Sequence, residues 1–194
     1  MENQIITMYN EKEGPLLSGF LKNPKTVPFF EEMLPIAKNC RIIGIDPGYG
    51  RVGYGLVEKK GNHISYIAHG VIETTKKKKL AYRLYEIDER IGTIIDEYQP
   101  TEASIEKLFF FRNVTTAMAV SEARGVIQLC IYKKNIAIHE YAPFEIKQAV
   151  TGNGRAEKGQ IQRVLKMLLN LSTTPKPDDA ADALAACICH ANSQ

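Results

Sequence analysis

Apolar residues recur in two rhythms along this chain, and the switches between them mark out its elements. Arg41-Ile-Ile-Gly-Ile-Asp46 is a short apolar run ended by Pro47-Gly48, the punctuation of a buried strand that feeds a turn. Val52 to Val57 and Ile64 to Ile72 are two further β-rich runs split by Gly61-Asn62, which predicts an antiparallel meander joined by tight turns. The rhythm then changes. Leu80, Leu84, Ile87, Ile91, Ile94 and Tyr98 recur every three or four positions with charges between, so an amphipathic helix is expected up to Pro100, its apolar stripe covering the sheet. Ala103 to Leu108 reads as a strand, Thr115 to Tyr132 as a helix, Ile136 to Tyr141 as a strand, and Pro143 onward as helices, one of them after Lys158. Three meander strands followed by β-α-β-α units imply an α/β fold: a mixed five-stranded sheet with helices on both faces.

Residues 1–39 follow neither rhythm. Gly14, Pro15, Pro24, Pro28 and Pro35 interrupt every apolar stretch before a long helix can form, so this segment reads as an appendage to a domain spanning residues 40–194. Its best helix candidate runs from Phe29 to Ile36, and Met33 is a candidate alternative start. No apolar run approaches the roughly 18 to 20 residues that span a bilayer, and Met1 to Asn10 lacks a basic region followed by an apolar one, so a cytoplasmic protein without a membrane partner is expected.

Composition narrows the chemistry only modestly. The four cysteines, Cys40, Cys130, Cys187 and Cys189, form no C-x-x-C pair and read as reduced and buried; Cys187 and Cys189 stand two apart on a predicted helix and turn to different faces. The formal net charge is +3. If several acids cluster in one site, the remaining surface is more basic than that sum, which favours a polyanionic partner. The lysine run from Lys76 to Lys79 reads either as a solvated loop or as a phosphate contact.

Acids stand where a sheet enzyme uses them: Asp46 at the end of the first strand, Glu106 at the end of the fourth, and Asp178, Asp179 and Asp182 opening the last helix. Ligand sites of open α/β sheets gather beyond the carboxyl ends of strands, and acids brought together there repel unless a divalent cation neutralises them. Oxygen-only ligands suit magnesium or manganese. Two such ions about 3.5–4 Å apart can activate water on one side of a phosphodiester and stabilise the leaving oxygen on the other. No rival nucleophile competes, because the sequence has neither a G-x-S-x-G elbow nor an H-E-x-x-H motif. Asp178 after Pro177 reads as the N-cap of the last helix. Spacing leaves the ligands there open, since the pairs 178/182 and 179/182 each share a helix face.

A succession of motifs now becomes specific: Ile43-Gly-Ile-Asp-Pro-Gly48 with Gly53-Tyr-Gly55, Ile105-Glu-Lys-Leu-Phe-Phe110 with Asn113, Ala123-Arg-Gly125, Gly154-Arg-Ala-Glu-Lys158, and Pro177-Asp-Asp-Ala-Ala-Asp-Ala-Leu184. From about Arg41 to His190 the chain resembles the RuvC-type Holliday junction resolvases, whose motifs come in this order. The resemblance implies a ribonuclease-H-like fold and metal-dependent, paired symmetric nicking of four-way DNA junctions in recombination and repair. It implies that Asp46, Glu106, Asp179 and Asp182 are the catalytic metal ligands, favouring Asp179 over Asp178, and that two magnesium ions, replaceable by manganese, act together. It makes Lys147 and Lys158 basic residues beside the scissile strand, with Lys158 steadying charge on the transferred phosphate; a plain helix-start lysine is the alternative.

Phe109 would stack on unpaired junction bases, with core packing the alternative for the triplet Phe109 to Phe111, and Arg112 and Asn113 would grip the neighbouring backbone. A homodimer is implied, with part of its surface on the helix around Ala117 to Leu129, where Met118 and Val120 face either core or subunit; branch-migration proteins are candidate partners. Residues 1–39 depart from the family, which starts almost at the first strand. Two other readings are weaker. The glycine-rich turn after Asp46 is similar to the phosphate loop of actin-like ATPases, but residues 40–194 hold only one lobe. A DNA-binding module without catalysis would have a broken carboxylate set, and all four positions are filled.

Overall fold

The order of elements follows the rhythm of the sequence closely. The structure is a computed structural model that describes residues 39–108 and 114–194. The expectations placed on residues 1–38, and on Phe109, Phe110, Phe111, Arg112 and Asn113, lie outside the described residues. The described strands are β1 (Cys40–Asp46), β2 (Arg51–Lys60), β3 (His63–Glu73), β4 (Glu102–Glu106) and β5 (Ala137–Tyr141). The helices are α1 (Leu80–Tyr98), α2 (Val114–Lys133), α3 (Pro143–Thr151), α4 (Lys158–Leu168) and α5 (Asp178–Asn192). The sheet order is β3-β2-β1-β4-β5. β1, β2 and β3 form the antiparallel meander, whereas β4 lies parallel to both β1 and β5.

Alternation along β1 assigns each face its cover, because successive side chains of a strand point to opposite sides. Ile43 and Ile45 join Ile87, Ile91, Ile127 and Ile131 of α1 and α2 in one buried cluster. Ile42 joins Ile146, Ile161, Leu165, Leu184 and Ile188 of α3, α4 and α5 in the other. Each such side chain contributes about 1.5–3 kcal/mol by leaving water. Helix α1 ends as the sequence predicts, with Gln99 in a left-handed conformation (φ 49°) donating its backbone N–H to Ile95 O before Pro100.

Helix α5 differs from the others in being buried nearly all round, from Ala180 through Ala191. Small residues let it lie against the sheet at close range. At Gly44 an added Cβ would stand 2.0 Å from the carbonyl oxygen of Ala183, and at Gly53 one would stand 2.0 Å from that of Asp179. Both strands therefore need glycine beneath α5. Its start corrects one expectation: Pro177, in extended conformation, takes the N-cap position, and Asp178 is the first helical residue. The Asp178 carboxylate accepts a hydrogen bond from Gln162 Nε2 at 2.9 Å instead of capping the backbone. Among the described residues no helix is long and apolar enough to cross a membrane, and all four cysteines are free and buried.

Candidate active site

Parallel pairing of β1 with β4 sets Ile45 opposite Ile105, so the next residues, Asp46 and Glu106, leave the sheet edge side by side. Both belong to the face covered by α5, since Ser104, two residues before Glu106, donates its hydroxyl to Ala186 O at 2.8 Å. The first turns of α5 bring Asp182 to the same edge. Asp46, Glu106 and Asp182 line one cleft of about 380 Å³ together with Lys147, Lys158 and Pro143. Asp179, one turn earlier on α5, opens into the adjoining recess, which Arg51, Lys158 and Lys176 share.

Each charged neighbour has a definite place. Lys158, the first residue of α4, directs Nζ to Asp182 Oδ2 at 3.5 Å and to Asp178 Oδ2 at 3.7 Å. Arg51, the first residue of β2, donates from Nη1 to Asp179 Oδ2 at 3.1 Å, while its Nε and Nη2 both bond Glu73 Oε1, at 3.0 and 2.8 Å. Asp179 is thereby held by a guanidinium that is itself fixed from the far side.

The cleft carries more negative charge than its lysines balance. Burial, then Glu106, Asp182 and Asp179, push the Asp46 carboxyl up to about 7, against the pull of Lys158. Burial and Asp182 push Glu106 up, with Lys147 and Lys158 opposing. Burial also raises Asp182, although Lys158 counters it. Lys158 is raised in turn, first by Asp182. Burial and neighbouring acids thus disfavour the ionised form of these carboxyls, which a bound cation would favour. The acids offer an all-oxygen donor set, which fits a hard divalent cation.

The structure brings the expected Asp46, Glu106, Asp182, Lys147 and Lys158 to one cleft and Asp179 to the recess beside it, while the sequence assigned no role to Arg51 or to the two close-approach glycines. Arg51 stands inside the glycine-rich turn that was compared only with an ATPase phosphate loop; a basic residue beside a predicted acid cluster was the available signal. Of the lysine run, Lys78 places Nζ 4.8 Å from the centre of the Tyr82 ring, an intramolecular partner on α1. On α2, Met118 and Leu129 are 61% and 53% exposed, and Val120 is half-buried. Arg124, from the Ala123-Arg-Gly125 motif, pairs with Glu140 of β5, whose Oε1 also accepts from Gln128 at 2.7 Å.

Comparison with known proteins agrees with this fold. The family model described as crossover junction endodeoxyribonuclease RuvC matches residues 42–190. A protein of that name from Petrotoga mobilis is 63% identical over 151 residues, covering 78% of this chain and 93% of the relative. Its counterpart from Thermotoga petrophila is 53% identical over 151 residues, covering 78% and 92%. Among solved structures, Thermus thermophilus RuvC in complex with Holliday junction substrate superposes with a TM-score of 0.75 at 29% identity, covering 78% of this chain and 93% of that one.

Proposed function

The chain belongs to the RuvC family of crossover junction endodeoxyribonucleases, and from that premise we propose that it resolves four-way DNA junctions by hydrolysing phosphodiesters at the cleft of Asp46, Glu106 and Asp182. The observation that carries this reading is the meeting of three half-buried carboxylates at the carboxyl edge of the parallel strands, raised first by burial and then by neighbouring acids, and flanked by two lysines.

Asp46, Glu106, Asp179 and Asp182 would hold magnesium, with manganese as a substitute and two ions per site, and the bound charge would polarise both the attacking water and the leaving oxygen. The rest follows from the chain's own groups. Lys147 on α3 and Lys158 on α4 both line the acidic cleft and draw a backbone phosphate into it as point charges. Lys158 already sits against Asp182, so an incoming phosphate competes for an ammonium that is in place. Pro143 and Ile146 give the cleft an apolar wall that limits water. Arg51 holds the Asp179 carboxylate in the recess beside the cleft.

Beyond the cleft, Phe109 stacks on unpaired junction bases, and Arg112 and Asn113 grip the adjacent backbone. The protein works as a homodimer, because two symmetric nicks across a two-fold junction need two symmetrically placed sites; the exposed Met118 and Leu129 on α2 support an interface there. Four free, buried thiols fit a reducing cytoplasm. Branch-migration proteins are its proposed partners in recombination and repair, and residues 1–39 form an extension whose deletion up to Met33 would show it dispensable if cleavage were unchanged.

The deciding experiment offers a labelled synthetic junction, linear duplex and RNA–DNA hybrid to the wild type and to Asp179→Asn, in magnesium, manganese and chelator. Paired nicks on the junction alone, lost in the variant and in chelator, are expected. Cleavage of the hybrid instead would remove the junction assignment.

A further inference from the structure

A second cluster of ligand-bearing side chains lies at the other end of the same sheet face. Glu102 is the first residue of β4 and Glu106 the last, so about 13 Å of strand separates it from the cleft at about 3.3 Å per residue. Glu102, His139 and His190 bring one carboxylate oxygen and two ring nitrogens within 4.8 Å of one another. The placement follows from register and helix length. His139 of β5 pairs with Ser104, on the face that α5 covers, and His190 lies in the last turn of α5, with the acids in its first turns.

The geometry has three features of a built site. His190 Nε2 stands 2.5 Å from Glu102 Oε2, and His139 Nε2 stands 3.8 Å from that same oxygen. The two imidazoles stack with centroids 4.1 Å apart, so both edges face the carboxylate. The other nitrogen of His190, Nδ1, is bonded to the Tyr141 hydroxyl at 2.7 Å, which fixes the ring in the manner of an outer-shell partner of a metal ligand. A single proton joins His190 to Glu102 but leaves the His139 nitrogen beyond hydrogen-bond length. A cation bound to all three would use every donor.

We propose that Glu102, His139 and His190 form a metal site of their own, for zinc or a similar transition ion, that fastens β4, β5 and the end of α5 together. Two neutral imidazoles with one carboxylate are a donor set for zinc and its neighbours, and not for magnesium, which prefers oxygen alone. Ligand bonds of about 2.0–2.1 Å at tetrahedral angles set donors about 3.3 Å apart, so of the two separations from Glu102 Oε2 one opens and the other closes, each by less than about 1 Å, and the ring nitrogens, within 4.8 Å of each other, close by at most about 1.5 Å. His190 is buried, with 2% of its side chain exposed, while His139 is 42% exposed and Glu102 26%, which leaves an entry path and room for a water as fourth ligand. Lys59 stays outside the donor set, since its ammonium is engaged by the carbonyls of Ala191 and Gln194. Gln194 donates its amide to Glu102 Oε2 and lies 3.1 Å from His190 Nε2, so this exposed C-terminal side chain must swing off both atoms when a cation takes them.

The test is zinc titration of the chelator-stripped full chain against a chromophoric chelator, in a large excess of magnesium to saturate the carboxylate cleft. Wild type, Asp46→Asn and His139→Ala are compared. One zinc per chain is expected in wild type and in Asp46→Asn, with affinity at least tenfold weaker in His139→Ala. Zinc should also raise the melting temperature of the first two and not of the third. X-ray absorption of the loaded wild type should show two imidazole nitrogens on the metal. Equal zinc affinity in wild type and His139→Ala, loss of zinc in Asp46→Asn alone, or no zinc retained by wild type would each overturn the proposal. His139 lies half-exposed on an edge strand, where alanine is tolerated; should that variant not fold, His139→Gln must show the same loss.

Discussion

Asp46 and Glu106 each stand one residue past the paired Ile45 and Ile105 of two parallel strands, so the pleat turns both carboxylates to the same face at the same height. Parallel pairing is what makes this possible. An antiparallel partner would have sent its chain end to the other edge of the sheet and left Asp46 without a neighbouring strand-end acid.

The first prediction concerns the proton on Asp46. Its folded value, about 7, lies above the ordinary value of 3.8, so between those limits the folded chain binds more protons than the unfolded one. The sign follows: this group's contribution to stability is fully present below about pH 4 and declines as pH rises to about 7, by up to about 4 kcal/mol. Asp46→Asn should therefore unfold at higher urea than wild type at pH 8 in chelator, while cutting no junction. Magnesium should narrow the difference by stabilising only the wild type. A variant less stable than wild type under metal-free alkaline conditions would contradict the strained-acid reading.

Close approach of α5 makes a second, purely steric prediction. Gly53→Ala sets a Cβ against the Asp179 carbonyl at 2.0 Å, backbone that cannot yield without shifting the helix carrying the acids. A loss of about 1–3 kcal/mol or more is expected, with cleavage reduced beyond what stability explains. Gly92→Ala is the control, for its nearest outside atom is Cys130 Sγ at 3.9 Å and it lies inside α1. That change should stabilise by about 0.5–1 kcal/mol. Urea midpoints for both, moving in opposite directions, check the argument.

How much of this was legible beforehand divides along physical lines. Periodicity located α1 because it buries one face, which must repeat at the helical period, whereas β1, buried on both faces, was legible as an apolar run ended by a turn. Asp46 and Glu106 were legible as charge at strand ends, whereas the choice of Asp179 over Asp178 came from the resemblance and not from spacing. What stayed hidden depends on register. Nothing in the order of residues says that Gly53 passes beneath Asp179, that Arg51 reaches the same residue, or that His139 stacks on His190, because each relation joins segments brought together only by the folded sheet. Asp178 was misread as a cap for a similar reason: its partner, Gln162, comes from another helix.

Arg51 gives a third prediction. It is exposed and contributes little to stability, so its removal should be felt in the site it orients. Arg51→Ala should lower cleavage roughly 10- to 100-fold, the scale on which outer-shell partners act, and raise the magnesium concentration needed for half-maximal rate. Arg51→Lys should recover only part, since one ammonium cannot bridge Asp179 and Glu73 as the planar fork does. An unchanged magnesium requirement in both variants would show that Asp179 needs no such support.

The last prediction separates charge from shape. Lys147 and Lys158 are proposed to meet phosphates, which every nucleic acid has, so replacing either with alanine should weaken junction and duplex binding alike. Each should also reduce the slope of log affinity against log salt by about one. Phe109 is proposed to stack on bases that only an opened junction exposes. Phe109→Ala should then lose about 1–3 kcal/mol on the junction, leave duplex binding and the salt slope unchanged, and reduce the preference between the two. Measuring both substrates across a salt series distinguishes the roles in one experiment, because an ionic contact changes the slope and a stacking contact changes the intercept. If Phe109→Ala weakened both substrates equally, the aromatic would be packing within the protein, and selectivity for four-way DNA would have to arise from the spacing of two active sites across the dimer.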